Sequence, residues 1–534
     1  MKLYLNSIIF GVNKELSTNK SIKSHKDCLN MKKITLSFVL FFCLMFVQAQ
    51  SGHEIKINLK NCKDTVAYLA FYQFDKLYIS DTCKKVVNGN IVFKGKKNLD
   101  KGVYFLLSQN KANFFDFIID EQSQKQQFTS DKSDLLGNLK AVNSKQNENF
   151  FNYIRFVTAK NKELDSFKKS IKEQKKSDST VLFAKEYKVL NEVILENDLK
   201  TISENKGNYL SEMINLKSEK AAKDIPKASN GRPDSIFSYH YYKKHFWDGV
   251  NFQDDAMLRN PFFANKIKQY FNTAVVQHPD SICVEIDHML LKTKQGTKMN
   301  MLLLAYFTST YEIPKIMGLD KVFVYMVDNY FKTGKAKGVY DDSVIKLIIN
   351  RGNVLTPLQL GKAAPELYMI DISSHDKIAK MGFDTAKTTE EITKLYYDNK
   401  SEIEKSYVTL SSIKADYLVL LFWDVDCGHC QKEVPKILEM YHDFQKENKD
   451  VKVFGVYTQN EVDKYKKYII ENKIDWINVY DGVHVNNLKD KYDVVTTPVI
   501  YILDKNKVIK AKGIGSEAIK SIITQMEKEY TQKK

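Results

Sequence analysis

Cys427-Gly428-His429-Cys430 follows closely on the apolar run Leu418-Val419-Leu420-Leu421-Phe422-Trp423. This order predicts a buried strand that delivers the first sulfur to the N-terminus of a helix. There, unpaired backbone N–H groups and the helix dipole stabilise a thiolate. The second sulfur, three residues on, lies about one helical turn away and can close a small disulfide ring. The chemistry such a pair performs is thiol–disulfide exchange. Half of a zinc site has the same spacing. A zinc reading needs a second ligand pair, but the sequence holds no other Cys-x-x-Cys, and His240 and His245 lie among aromatics. No metal and no cofactor is expected.

Beyond Cys430, residues Ile437, Leu438, Tyr441 and Phe444 recur at helical spacing. Pro435 stands five residues after the second cysteine, and Thr497-Pro498 leads into the apolar run Val499-Ile500-Tyr501-Ile502-Leu503. Upstream lies Gly361-Lys362-Ala363-Ala364-Pro365. On these residues the segment resembles the thioredoxin superfamily, and within it the TlpA/ResA-like envelope thiol-disulfide oxidoreductases.

The resemblance assigns roles. It implies that Cys427 attacks, that Cys430 resolves the mixed disulfide, and that Glu433 tunes the site and shuttles protons. Thr497, a cis Pro498 and Trp423 would bind substrate, while Gly428 and His429 would tune the potential. An ordinary exposed helix glutamate is the alternative for Glu433. A protonated His429 favours the thiolate, whereas Asp424 and Asp426 disfavour it, and the sign of the sum stays open. The sequence departs from thioredoxin proper at Leu421, which stands where a buried acidic residue would assist the resolving thiol. That leaves Glu433 or water to accept its proton.

At 534 residues with 43% hydrophobic content, the chain is long enough for two to four domains with real cores. Its net charge of +16 comes from lysines mixed with Glu and Asp, with no basic patch interleaved with aromatics. Nucleic-acid binding is therefore not expected. Met31-Lys32-Lys33, the apolar stretch Ile34 to Val47 and Gln48-Ala49-Gln50 together read as a signal peptide over 31–50. Residues 1–30 read as an upstream extension. A retained anchor is the alternative, although the stretch is short for a membrane span. Export places the chain in the periplasm or cell envelope, where disulfides persist. Cys62 and Cys83 could pair there or remain thiols, and Cys283 reads as core.

Short alternating strands over 51–146 predict a β-sandwich-like domain, with Asn88-Gly89 as a turn. A charged helical connector follows over 147–205, and a helical domain over 206–352. The aromatic run from Tyr239 to Trp247 reads as core within it. These two domains resemble regions of unknown function that precede envelope redox domains. Residues 358–534 then form an α/β thioredoxin-like domain. The expected protein is thus multidomain: β-sandwich-like, then α-helical, then α/β. Its expected activity is reduction of protein disulfides, with a membrane dithiol carrier as electron donor. A nonenzymatic binding or redox-sensing protein, or a thiol peroxidase, are the alternatives. Oligomeric state is not legible.

Overall fold

The structure, a computed structural model, describes residues 52–173, 179–218, 222 and 224–532. The expected signal peptide at 31–50 and the upstream extension at 1–30 lie outside these residues. The chain divides into two compact units.

One unit takes in the described residues up to 277, together with 287–300. Its N-terminal part is a sandwich of two four-stranded sheets, ordered β4-β1-β7-β8 and β3-β2-β5-β6. The strands are β1 (His53–Lys60), β2 (Ala67–Gln73), β3 (Lys76–Cys83), β4 (Asn90–Gly95), β5 (Gly102–Leu107), β6 (Asn113–Ile119), β7 (Lys125–Asp131) and β8 (Lys140–Ala141). In β1, Ile55, Ile57 and Leu59 are buried while Lys56 and Lys60 face out, the alternation of a strand with one core face. Asn88 and Gly89 both have positive φ, and a Cβ on Gly89 would meet the Leu59 carbonyl oxygen at 1.9 Å. Glycine is required there by that close approach.

Strands β3, β7 and the two-residue β8 escape the sequence pattern. Strand β3 is an edge strand with Leu77 and Ile79 exposed, so it has no apolar face to show. Strand β7 turns Gln126 inward, and that side chain is satisfied by the Ile118 carbonyl oxygen at 3.0 Å. Helices Lys145–Glu173 and Ser179–Glu204 follow the sandwich, and Phe151 of the first packs on Phe128 at 5.9 Å. The aromatic run is mostly not core. Helix Ser235–His245 contributes no buried residue, and only Phe246 of the run is buried.

The other unit takes in residues 278–286 and the chain from 301 onward. It therefore extends upstream of residue 358 and includes helices Asp320–Met326 and Asp342–Leu355. Its centre is a seven-stranded mixed sheet ordered β10-β9-β13-β12-β11-β14-β15. These strands are β9 (Tyr368–Asp371), β10 (Tyr407–Thr409), β11 (Tyr417–Trp423), β12 (Val451–Tyr457), β13 (Ile477–Tyr480), β14 (Val499–Asp504) and β15 (Ile509–Lys512). Strand β11 runs parallel to β12 and antiparallel to β14. From Leu418 to Trp423 every side chain is buried. Val419, Leu421 and Trp423 join one core with Cys430, Ile437 and Phe444. Leu418, Leu420 and Phe422 join a second with Tyr492 and Tyr501. A strand covered on both faces reads as one continuous apolar run, which is why its sequence lacks alternation. Helix Cys430–Lys446 lies on the first face through Cys430, Val434, Ile437, Tyr441 and Phe444.

Candidate functional site

Strand β11 ends at Trp423, and the loop beyond it is pinned at once. Asp424 accepts from the Asp426 N–H at 3.0 Å, and Gln431 donates from its side chain to the Val425 carbonyl at 3.0 Å. Helix Cys430–Lys446 starts there, with Gln431 N–H bonded to the Cys427 carbonyl and Glu433 N–H bonded to that of His429. The spacing of the cysteines thus translates into one half-buried sulfur and one buried beneath it. Cys430 is 1% exposed.

The cis Thr497–Pro498 peptide, arriving from the far side of the chain, completes the site. Cys427 Sγ donates to the Thr497 carbonyl oxygen at 3.2 Å and accepts from the Cys430 N–H at 3.5 Å. The two sulfurs are held at different proton affinities. Burial pushes the Cys427 thiol up, but hydrogen bonds from the Thr497 side chain and from Cys430 outweigh it and hold the thiol below its ordinary value. Burial pushes the Cys430 thiol up to about 12, against the lowering influence of the Asp424 backbone.

The charges around the pair are distributed in ways the sequence did not show. Asp426 is paired with Lys464 at 3.1 Å, which offsets its opposition to the thiolate. Asp424 spends one oxygen on the Asp426 N–H. His429 is exposed at the N-cap and makes no capping bond with its side chain. Gly428 is exposed, and a Cβ there would meet nothing within 4 Å.

Two expected roles meet a different geometry. Glu433 bonds to Lys436 at 2.8 Å and to the N–H and hydroxyl of Ser516. The Lys436 bond, then that of the Ser516 hydroxyl, lowers its pKa to about 2. A carboxylate so held is a poor proton acceptor for a thiol near 12. Trp423 does not reach the surface: it is 0% exposed, ringed by Tyr465 at 5.4 Å and Tyr468 at 5.6 Å. It supports the site from the core and cannot touch a substrate. Cys62 and Cys83 are both thiols here, and Cys283 is buried.

Ser516 and Lys464 were not singled out as partners of the site by sequence. Ser516 carries no signal, because its partner lies 83 residues away. Beside Thr497 opens a polar cavity of about 340 Å³, lined among others by Thr458, Gln459, His484, Lys489 and Thr496. Among the described residues no group of three or more His, Cys, Asp or Glu could hold a metal ion.

A strand–Cys-x-x-Cys–helix unit facing a Thr–cis-Pro loop on a mixed sheet defines a thioredoxin-like domain. Residues 393–512 match the AhpC/TSA family. The C-terminal part of this chain belongs to the thioredoxin superfamily. Residues 53–150 and 194–343 match two domains of unknown function, DUF4369 and DUF5106.

Among solved structures, a domain of a possible thiol-disulfide isomerase from Cytophaga hutchinsonii is 33% identical. That match covers 33% of this chain and 99% of that one, with a TM-score of 0.26. The thioredoxin domain of a thiol-disulfide oxidoreductase from Bacteroides vulgatus is 24% identical, over 31% of this chain and 96% of that one (TM-score 0.24). A thioredoxin-like protein from Bacteroides caccae is 18% identical, over 56% of this chain and 98% of that one (TM-score 0.32). No curated protein matches the chain.

Proposed function

We propose that this protein is an exported thiol-disulfide oxidoreductase that reduces protein disulfides. The observation that carries the reading is the asymmetry of the cysteine pair. Cys427 is half-buried with its thiol held below the ordinary value, while Cys430 is buried with its thiol raised. An attacking and a resolving sulfur need that difference.

The Cys427 thiolate attacks one sulfur of a substrate disulfide. A bond forms between Cys427 and that sulfur, the substrate S–S bond breaks, and the other sulfur leaves as a thiolate. Cys430 then attacks Cys427 Sγ, which closes the Cys427–Cys430 disulfide and releases the second substrate sulfur. Cys430 gives up its proton in this step, and the departing substrate thiolates take up protons. Two electrons pass from the dithiol to the substrate. A membrane dithiol carrier, as the family resemblance implies, would restore the pair. The cis Pro498 loop with Thr497 and the neighbouring cavity offers the surface for the substrate chain.

The reductive direction rests on the family resemblance, since the hydrogen bonds on Cys427 outweigh burial and favour its thiolate. The test is the reduction potential of the Cys427–Cys430 pair, with turnover in a dithiol-dependent disulfide reduction assay. A potential near about −270 mV supports a reductase, and one near about −120 mV makes it a disulfide donor instead. Absence of a redox transition would overturn the enzyme reading.

A further inference from the structure

Helix Asp342–Leu355 belongs to the same compact unit as the redox sheet and lies upstream of it in sequence. Near its end, Gly352 packs so closely on Val327 that a Cβ would stand 2.6 Å from Val327 Cγ1. The helix is therefore fixed in place beside Arg351. The Arg351 guanidinium pairs with Asp493 and lies 3.8 Å from Glu312, whose side chain is 2% exposed. A second pair, Lys512 with Asp320, joins the end of β15 to helix Asp320–Met326, and Gln359 donates to Asp320 at 2.9 Å.

Charges buried this way add little net stability over apolar packing, since desolvation offsets most of their attraction. What they impose is geometry, because each must meet its partner. Asp493 is a telling place for such a constraint. It has φ +56, a left-handed conformation that few non-glycine residues adopt, and it stands four residues before Thr497. The run from it to Thr497 is short and leaves from an anchored residue. Val495 N–H bonds to the Asp493 carbonyl at 2.9 Å, the buried Tyr492 donates its hydroxyl to the Pro365 carbonyl, and Tyr501 donates to the Tyr492 carbonyl at 2.9 Å.

We propose that Arg351 is a positioning residue for the redox site: by gripping Asp493 it places the run to Pro498 and so sets the contact of Thr497 with Cys427. The inference rests on Cys427 being the attacking thiol. Through this contact, the segment before residue 358 takes part in the chemistry without touching the sulfurs.

The test uses the full chain and the variants Asp493→Asn, Arg351→Gln and Arg351→Lys. Asn accepts the left-handed conformation, so Asp493→Asn removes the charge without demanding a new backbone. Two readouts are followed: the pH titration of the Cys427 thiolate, by its ultraviolet absorbance, and kcat/KM on a disulfide-bonded peptide. Asp493→Asn and Arg351→Gln are expected to displace the titration from its parental position and to lower kcat/KM about tenfold, within what a small misplacement of a reacting group costs. Arg351→Lys, which keeps the charge but loses the planar fork, should recover part of both. A folded Asp493→Asn protein with the parental titration overturns the proposal, even if Arg351→Gln fails to fold. If the parent shows no turnover, the oxidoreductase reading fails, and the titration still decides the role of Arg351.

Discussion

At the scale of single residues, the site works by contrast. One turn of helix separates Cys427 from Cys430, yet one thiol is lowered by hydrogen bonds and the other is raised by burial. If the Thr497 side chain supplies the lowering bond, Thr497→Val should shift the Cys427 titration upward and slow its alkylation at neutral pH. An unchanged alkylation profile would count against that bond. For Cys430 the linkage has a definite sign. A thiol raised from 9.0 to about 12 in the folded state contributes stability that is present below about pH 9 and lost as the pH climbs toward 12. The stability difference between the parent and Cys430→Ser should therefore change over that window, which urea unfolding at several pH values would show.

Glu433 has the opposite sign: lowered to about 2 from 4.5, its contribution is present above pH 4.5 and lost as the pH falls through about 2. Because Lys436 and Ser516 hold it, Glu433→Gln should leave the reduction rate within about twofold. A loss of about a hundredfold, typical of a removed general base, would restore its proton-shuttling role.

At the scale of elements, β11 and helix Cys430–Lys446 form the rigid mount of the sulfurs. Ile437 is 0% exposed between them and its loss leaves a cavity. Ile437→Ala should cost about 2–5 kcal/mol in chemical denaturation. These elements were legible because each carries a strong local signature: an unbroken apolar run for β11, and buried positions at helical spacing for the helix. Strands β3 and β7 were not. One is an exposed edge and the other buries glutamine, so neither displays the alternation by which a strand is recognised. The aromatic run before Trp247 misled for the converse reason, since aromatic composition does not say which face is covered.

At the scale of the whole molecule, the redox sheet shares its compact unit with helices that precede residue 358. A fragment 358–534 would lack Asp320, leaving Lys512, whose side chain is 12% exposed, without its partner. The same cut removes Arg351, the partner of Asp493. Fragment 301–534 should therefore melt clearly higher than 358–534 in calorimetry; equal melting temperatures would show that the upstream helices are dispensable to the sheet.

The sequence alone determined the strand, the cysteine pair and the helix behind it, because these are local: chain spacing and helical period place both sulfurs within one turn. The Thr-Pro step was also visible, from its position before an apolar run. Only the tertiary structure decided what meets the site. Thr497 reaches Cys427 because β14 pairs with β11, Ser516 takes up Glu433 at the start of the last helix, and Trp423 is enclosed by Tyr465 and Tyr468. Those contacts depend on strand order and on which face each helix covers. Neither is written in the period of any one segment, because packing between distant parts of the chain sets both.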